Sequence, residues 1–200
     1  MFCRELRVGN VELTSKQVLR SRLTAARVER SVTELVQVGE LISELDWKSI
    51  LSGTTIGCYA SLPTEPPTAL LRKKLLRLGY SVYLPIITES DGLLWGKDCE
   101  PLITNRFGIS EPKNGELNTG DLSCLIMPAI AVDGFGNRLG KGAGYFDKGL
   151  TNVASFADGG PLRIALVFDE EVLSELPHES HDQKIDLIVT PQRVISPINT

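Results

Sequence analysis

Hydrophobic positions change period several times along the chain, and the changes predict helices alternating with strands. From Thr14 apolar residues recur at three- and four-residue steps, Val18, Leu19, Leu23, Ala26 and Val28, predicting a helix with that face turned inward. Lys16, Arg20, Arg22, Arg27 and Arg30 decorate the rest of its surface. Ser31-Val-Thr-Glu34 has capping-box spacing and marks a second helix start, continued by Leu35, Val38, Leu41, Ile42 and Leu45. Thr54 to Leu62 reads as a first strand, broken by Pro63, Pro66 and Pro67, and Pro67 suits the first turn of a helix over Thr68 to Leu78. Gly79 ends that helix and Tyr80 to Ile87 forms a second strand. Residues 88–121 are loop-rich, with one short strand near Leu93 to Trp95.

The apolar run Leu122 to Val132 reads as a buried strand, with strand Leu122 to Pro128 leading into Asp133, Gly134, Gly136 and Asn137, residues that tolerate a tight hairpin. A short helix is expected over Ala143 to Leu150, starting at glycines and aiming its N–H groups at an anion. Leu162 to Phe168 is an uninterrupted apolar strand, as expected where both faces are covered. Val172 to Leu176 reads as a brief turn or helix, and Ile185 to Val189 as the last strand. Strands alternating with helices indicate an α/β layered fold. With 200 residues and no repeat, low-complexity tract or linker, one domain over residues 1–200 is expected.

Charge and cysteine usage narrow the partners. A net charge of −4 argues against nucleic acid, although it leaves room for a local basic pocket. The cysteines Cys3, Cys58, Cys99 and Cys124 form no C-x-x-C pair, and Cys58 and Cys124 sit in apolar runs as expected of buried thiols. That usage fits a reducing compartment. Arg4, Glu5 and Arg7 interrupt the N-terminus before any signal-peptide core. The longest apolar run is about half the ~20 residues of a membrane span, so a cytoplasmic protein with no membrane partner is expected.

Candidate chemistry concentrates in Arg138-Leu-Gly-Lys-Gly-Ala-Gly-Tyr-Phe-Asp147. Gly140, Gly142 and Gly144 alternate between two cations, Arg138 and Lys141, and the carboxylate of Asp147. Alternating glycines allow close backbone approach and turn several N–H groups toward one anion, while the carboxylate suits a metal ion. The pattern is that of a site for a polyphosphate and its magnesium. It is neither the Walker A loop nor the G-x-G-x-x-G dinucleotide fingerprint. Lys16 and Arg20, four apart, share one helix face and repel unless an anion lies between them. Glu65, at a strand-to-helix junction, is placed to accept hydrogen bonds from a ligand's amide or amine groups. Asp182, just before the last strand, is placed to face the same rim as Asp147 and share a hydrated Mg²⁺. His178 and His181 lie in a loop and do not favour zinc. No G-x-S-x-G or local Ser-His-Asp or Cys-His pattern supports covalent catalysis.

The run P-A-I-A-V-D-G-F-G-N-R-L-G-K-G-A-G-Y-F-D-K-G-L resembles the signature of the 5-formyltetrahydrofolate cyclo-ligase family. Lys16-x-x-Leu19-Arg20, Tyr59 through Glu65-x-x-Thr68, Gly79 through Pro85, Gly108-Ile-Ser-Glu-Pro112 and Leu176-Pro177 through Asp182 match its other motifs in order. The resemblance implies a three-layer α/β/α domain with a mostly parallel or mixed sheet, similar to the sugar-phosphate isomerase and CoA-transferase-like fold. It implies ATP- and Mg²⁺-dependent closure of 5-formyltetrahydrofolate to 5,10-methenyltetrahydrofolate, with ADP and phosphate released, by a monomer. Carried over, Lys16, Arg20, Arg138, Leu139, Gly140, Lys141, Gly142, Ala143, Gly144, Tyr145 and Phe146 contact ATP. Arg138, Lys141 and Tyr145 take catalytic positions, Asp147 and Asp182 metal positions. Ala60, Glu65, Phe107 and Tyr145 line the folate pocket. Lys141 stands where the pattern has Arg, Phe146 where it has Tyr, Val132 where it has Phe and Lys148 where it has Arg. The alternatives are a non-catalytic paralogue that binds nucleotide or folate and a sugar-phosphate isomerase or CoA-transferase-like enzyme. The second has no need of Arg138 and Lys141 beside a metal carboxylate.

Overall fold

A computed structural model describes residues 15–88, 92–99, 101–106, 108–179 and 182–198. Phe107, His181, Cys3 and the expected helix start at Thr14 lie outside that set. Two helices, α1 (Lys16–Val28) and α2 (Val32–Glu44), and a single turn, α3 (Trp47–Ile50), precede β1 (Thr55–Gly57). Then come α4 (Ala69–Arg77), β2 (Ser81–Ile87), β3 (Leu93–Lys97), β4 (Ile103–Thr104), β5 (Ser110–Glu111), β6 (Leu117–Asn118) and β7 (Cys124–Pro128). The hairpin β8 (Ala131–Asp133) and β9 (Arg138–Leu139) leads to α5 (Tyr145–Leu150), β10 (Leu162–Leu166), β11 (Val172–Leu173), β12 (Leu187–Val189) and β13 (Val194–Ile195).

The main sheet runs β13-β12-β10-β7-β1-β2-β3-β6. Its five inner strands, β12 through β2, are parallel, and β13, β3 and β6 add antiparallel edges. Period-two alternation sends the strand residues to two cores. Cys124, Ile126, Ile164 and Leu166 meet Ile42, Trp47, Leu71 and Leu75, which come from α2, α3 and α4 on one face. Leu125, Met127, Ala165 and Val167 meet Leu150 from α5 on the other. The expected layered α/β fold with a mixed sheet is what forms.

One local expectation holds and several change. The capping box is made, with Ser31 Oγ accepting from the Glu34 N–H and Glu34 accepting from the Ser31 N–H. The inward face of α1 is smaller than periodicity predicts, because Val18 and Val28 are 54% and 63% exposed while Arg27 is only 2% exposed. The run Leu122 to Val132 is not one strand. It breaks after Pro128, and β8 leaves for a second sheet ordered β11-β8-β9. In that sheet β8 pairs parallel with β11, so the segment read as a turn or helix at Val172 is a strand. The first strand stops at Gly57, after which Tyr59 turns its carbonyl to accept from Thr68 Oγ1, at 2.6 Å. The Asp133 carboxylate, fully buried, accepts from the N–H groups of Phe135, Asn137 and Leu176 and from Asn137 Nδ2, which fixes the hairpin that presents Arg138.

Candidate active site

Two cavities meet at the C-terminal ends of the parallel strands, where open α/β sheets collect ligands. One, of about 270 Å³, is mostly apolar and is walled by Tyr59, Ala60, Ile87, Pro128, Tyr145 and Phe146 among others. The other, of about 720 Å³, is a polar cleft walled by Lys16, Arg20, Leu139, Gly142 and Asp182 among others. Arg138, Gly140, Ala143, Gly144 and Asp147 line both, so the glycine stretch is the partition between them.

Backbone geometry explains why this partition is glycine-rich. Gly142 and Gly144 have φ of 108° and 71°, which L side chains rarely adopt. Gly144 caps α5, a helix of 6 residues that begins at Tyr145 and not, as expected, at Ala143. Arg20 Nε reaches across from α1 and donates to the Gly140 carbonyl at 2.8 Å.

The charged residues are paired. Arg138 Nη2 donates to both oxygens of Asp147 at 2.8 Å, and Nη1 donates to the Pro128 carbonyl at 3.1 Å. Arg138 Nε is buried with no hydrogen-bond partner among the described residues. Lys16 Nζ lies 2.6 Å from Asp182 and 2.8 Å from Glu179. Burial acts to lower the Lys16 pKa, but the hydrogen bonds to Asp182 and Glu179 outweigh it and hold the ammonium above its ordinary value. Lys141 Nζ lies 2.8 Å from Glu65 Oε1, with side-chain exposures of 44% and 5%. Glu65 Oε2 accepts from the Leu62 N–H at 2.8 Å.

Nearly all of the residues singled out in the sequence thus come together. Lys141, Glu65 and Ala60 line the apolar cavity, with Lys141 outside the lining of the polar cleft. Asp147 and Asp182 share the polar cleft, and the N–H of Gln183, beside Asp182, donates weakly to Asp147 at 3.4 Å. Phe107 lies outside the described residues. Sequence reasoning missed Glu179, the second partner of Lys16, whose three-residue spacing from Asp182 was the available signal. It also missed Asn105, which carries no distinctive signal, and gave no role to Ile109 of the Gly108-Ile-Ser-Glu-Pro112 motif; both line the apolar cavity.

The donor set can be tested against magnesium. Among the described residues no three His, Cys, Asp or Glu side chains form a metal cluster. Mg²⁺ needs only one or two carboxylates when phosphate oxygens and water complete its shell. Asp147 and Asp182 therefore fit a magnesium ion carried by a polyphosphate. Among the described residues no helix is long and apolar enough to cross a membrane.

The solved NMR structure of the Aquifex aeolicus 5,10-methenyltetrahydrofolate synthetase shares this fold, with a TM-score of 0.77 at 24% identity over 92% of this chain and 94% of that one. The 5-formyltetrahydrofolate cyclo-ligase of Mycolicibacterium smegmatis is 38% identical over 90% of this chain and 96% of its own. That of Escherichia coli (strain K12) is 31% identical over 75% and 85%. The sequence profile of the 5-formyltetrahydrofolate cyclo-ligase family matches residues 12–191, and the chain, with its paired cavities, belongs to that family of ligases.

Proposed function

We propose that this chain acts as one catalytic domain and monomer that closes 5-formyltetrahydrofolate to 5,10-methenyltetrahydrofolate, using ATP and Mg²⁺ in the cytoplasm. The observation that carries the reading is the shared wall. A mostly apolar cavity suited to a pterin ring and a polar cleft suited to a triphosphate meet at Arg138, Gly140, Ala143, Gly144 and Asp147. A reaction that joins the γ-phosphoryl group to the folate formyl oxygen needs the two substrates in adjoining sites, with the reacting atoms meeting at the edge the sites share.

The chemistry then divides among the side chains. Lys16, Arg20 and Arg138 take phosphate oxygens in the cleft, where Arg138 offers a planar fork and Lys16 a point charge. Asp147 and Asp182 would hold the magnesium, which would neutralise phosphate charge. Glu65 orients the folate through its amide and amine groups, and Tyr145 and Phe146 pack beside it. The formyl oxygen takes the γ-phosphoryl group and ADP leaves. N10 attacks the activated carbon, phosphate departs with the former formyl oxygen, and N10 loses its proton. Catalysis of this kind rests on positioning and charge stabilisation, with no covalent enzyme nucleophile.

Incubation with ATP, Mg²⁺ and 5-formyltetrahydrofolate is expected to generate methenyl product, followed by its near-ultraviolet absorbance. ATP binding without product would favour the non-catalytic alternative. Arg138→Ala is expected to lower kcat/KM on the order of 10²-fold, the scale of one lost charge-stabilising contact. An unchanged rate would remove the glycine partition from the mechanism.

A further inference from the structure

Helix α1 carries two of the cleft's cations, yet little apolar surface holds it in place. Leu19 and Leu23 are its buried hydrophobic residues, and they pack on Ile130, Ala131 and Leu139 of the hairpin and on Leu176. The other buried residue of the helix is Arg27. Lys16, Arg20, Leu23 and Arg27 follow one another at steps of four, three and four, so they lie on one helix face. Arg27 is about 16 Å from Lys16 along the axis.

Arg27 makes a two-pronged contact. Nε donates to Glu171 Oε1 at 2.7 Å, and Nη2 donates to Glu171 Oε2 at 2.7 Å and to the Ala129 carbonyl at 2.6 Å. Glu171 is 1% exposed, and its Oε2 also accepts from the Phe168 N–H at 3.0 Å. The Arg30 guanidinium stacks over the Phe168 ring at 3.7 Å. Ala129 adjoins Pro128, whose carbonyl accepts from Arg138. Two arginines thus hold neighbouring carbonyls at the corner where the chain leaves the main sheet.

A buried ion pair is poor evidence for stability, because an apolar pair of similar size often does as well. What a bidentate fork adds is direction. Two leucines permit α1 to slide or turn against the hairpin, whereas Arg27 fixes its rotation and register. We propose that Arg27 and Glu171 are positioning residues for the nucleotide cleft, setting α1 so that Lys16 meets Asp182 and Arg20 meets the Gly140 carbonyl. The inference rests on the reading of the cleft as the ATP side of the site.

The test is the double variant Arg27→Met/Glu171→Gln, which removes both charges and leaves an acceptor for the Phe168 N–H. It is expected to melt within about 8 °C of the native protein, since neither partner is left charged and alone and only the Ala129 carbonyl loses its donor. KM for ATP is expected to rise about tenfold while KM for 5-formyltetrahydrofolate changes less than about twofold. Arg27→Lys, which keeps the charge and loses the fork, is expected to fall between, near threefold on ATP. An ATP KM within twofold of native in the double variant overturns the proposal, as does an equal rise in both KM values. If the double variant does not fold, Arg27→Lys decides on the same split. A native protein that binds neither substrate defeats the proposed function instead. Amide hydrogen exchange then still tests the clamp: faster exchange over residues 20–24 in either variant supports it, and unchanged exchange overturns it.

Discussion

Lys141 and Glu65 show how a residue's assignment changes when its partner is known. Family resemblance assigns Lys141 to ATP, but its ammonium lies 2.8 Å from Glu65 and lines the apolar cavity. Deleting that charge would leave the buried Glu65 carboxylate without its cation. Lys141→Met is therefore expected to raise KM for the folate about tenfold, the scale of a lost hydrogen bond to a charged group, with KM for ATP within about twofold. Initial rates with each substrate varied separately measure the split, and equal rises would return Lys141 to the nucleotide. Arg138 and Asp147 were legible in the sequence because cations, glycines and a carboxylate crowd ten residues. Arg27 was not. A charge on a polar helix reads as a solvated one, and its partner Glu171 is 144 positions away. Nothing local announces a pair that only the packing of α1 creates.

At the scale of elements, the central strands carry a pH limit. Cys58, just beyond β1, and Cys124 on the neighbouring β7 belong to one core cluster, and burial pushes both thiols up to about 12. The unfolded thiol ionises near 9, while the folded one keeps its proton. Stability from this source is complete below pH ~9 and is lost as pH climbs toward ~12, by up to about 1.4 kcal/mol per thiol per pH unit. Tyr59, whose pKa burial also raises well above 10, acts in the same direction. Melting temperatures are expected to fall steeply between pH 9 and 10.5, and Cys58→Ala/Cys124→Ala to flatten that fall despite a lower melt at pH 7. A slope unaltered by the double substitution would place the alkaline loss elsewhere. The inner strands of the main sheet and β3 were readable from apolar runs, whereas β4, β5, β6, β11 and β13 were not. The departure to a second sheet after Pro128 was not readable, because apolar residues continue on both sides of it. What separates β7 from β8 is a change of neighbours, since Val132 pairs with Val172 in the second sheet.

For the whole molecule, the location of the site was legible and its internal pairing was not. Parallel strands direct ligands to their C-terminal ends, and both cavities open there. Pairing depends on segments that converge from residues 16, 65, 138–147 and 182, which no single stretch encodes. That pairing bears on how the nucleotide arrives. Lys16, Arg20, Arg138 and Lys148 line the cleft with Asp147, Glu179 and Asp182, four positive groups against three negative ones, on a chain of net charge −4. An MgATP dianion approaching from bulk solvent meets almost no long-range pull, since attraction of that kind needs a concentrated charge of one sign. Capture begins only at contact, when phosphates and carboxylates trade partners. The association rate for MgATP, measured by stopped flow, is expected to change less than about threefold between low and physiological salt. A steep decline with salt would mean that the carboxylates stand away from the cations before the nucleotide arrives. The trade makes recognition a matter of exchange at close range, so the cleft chooses its ligand by which anion can replace three carboxylates at once.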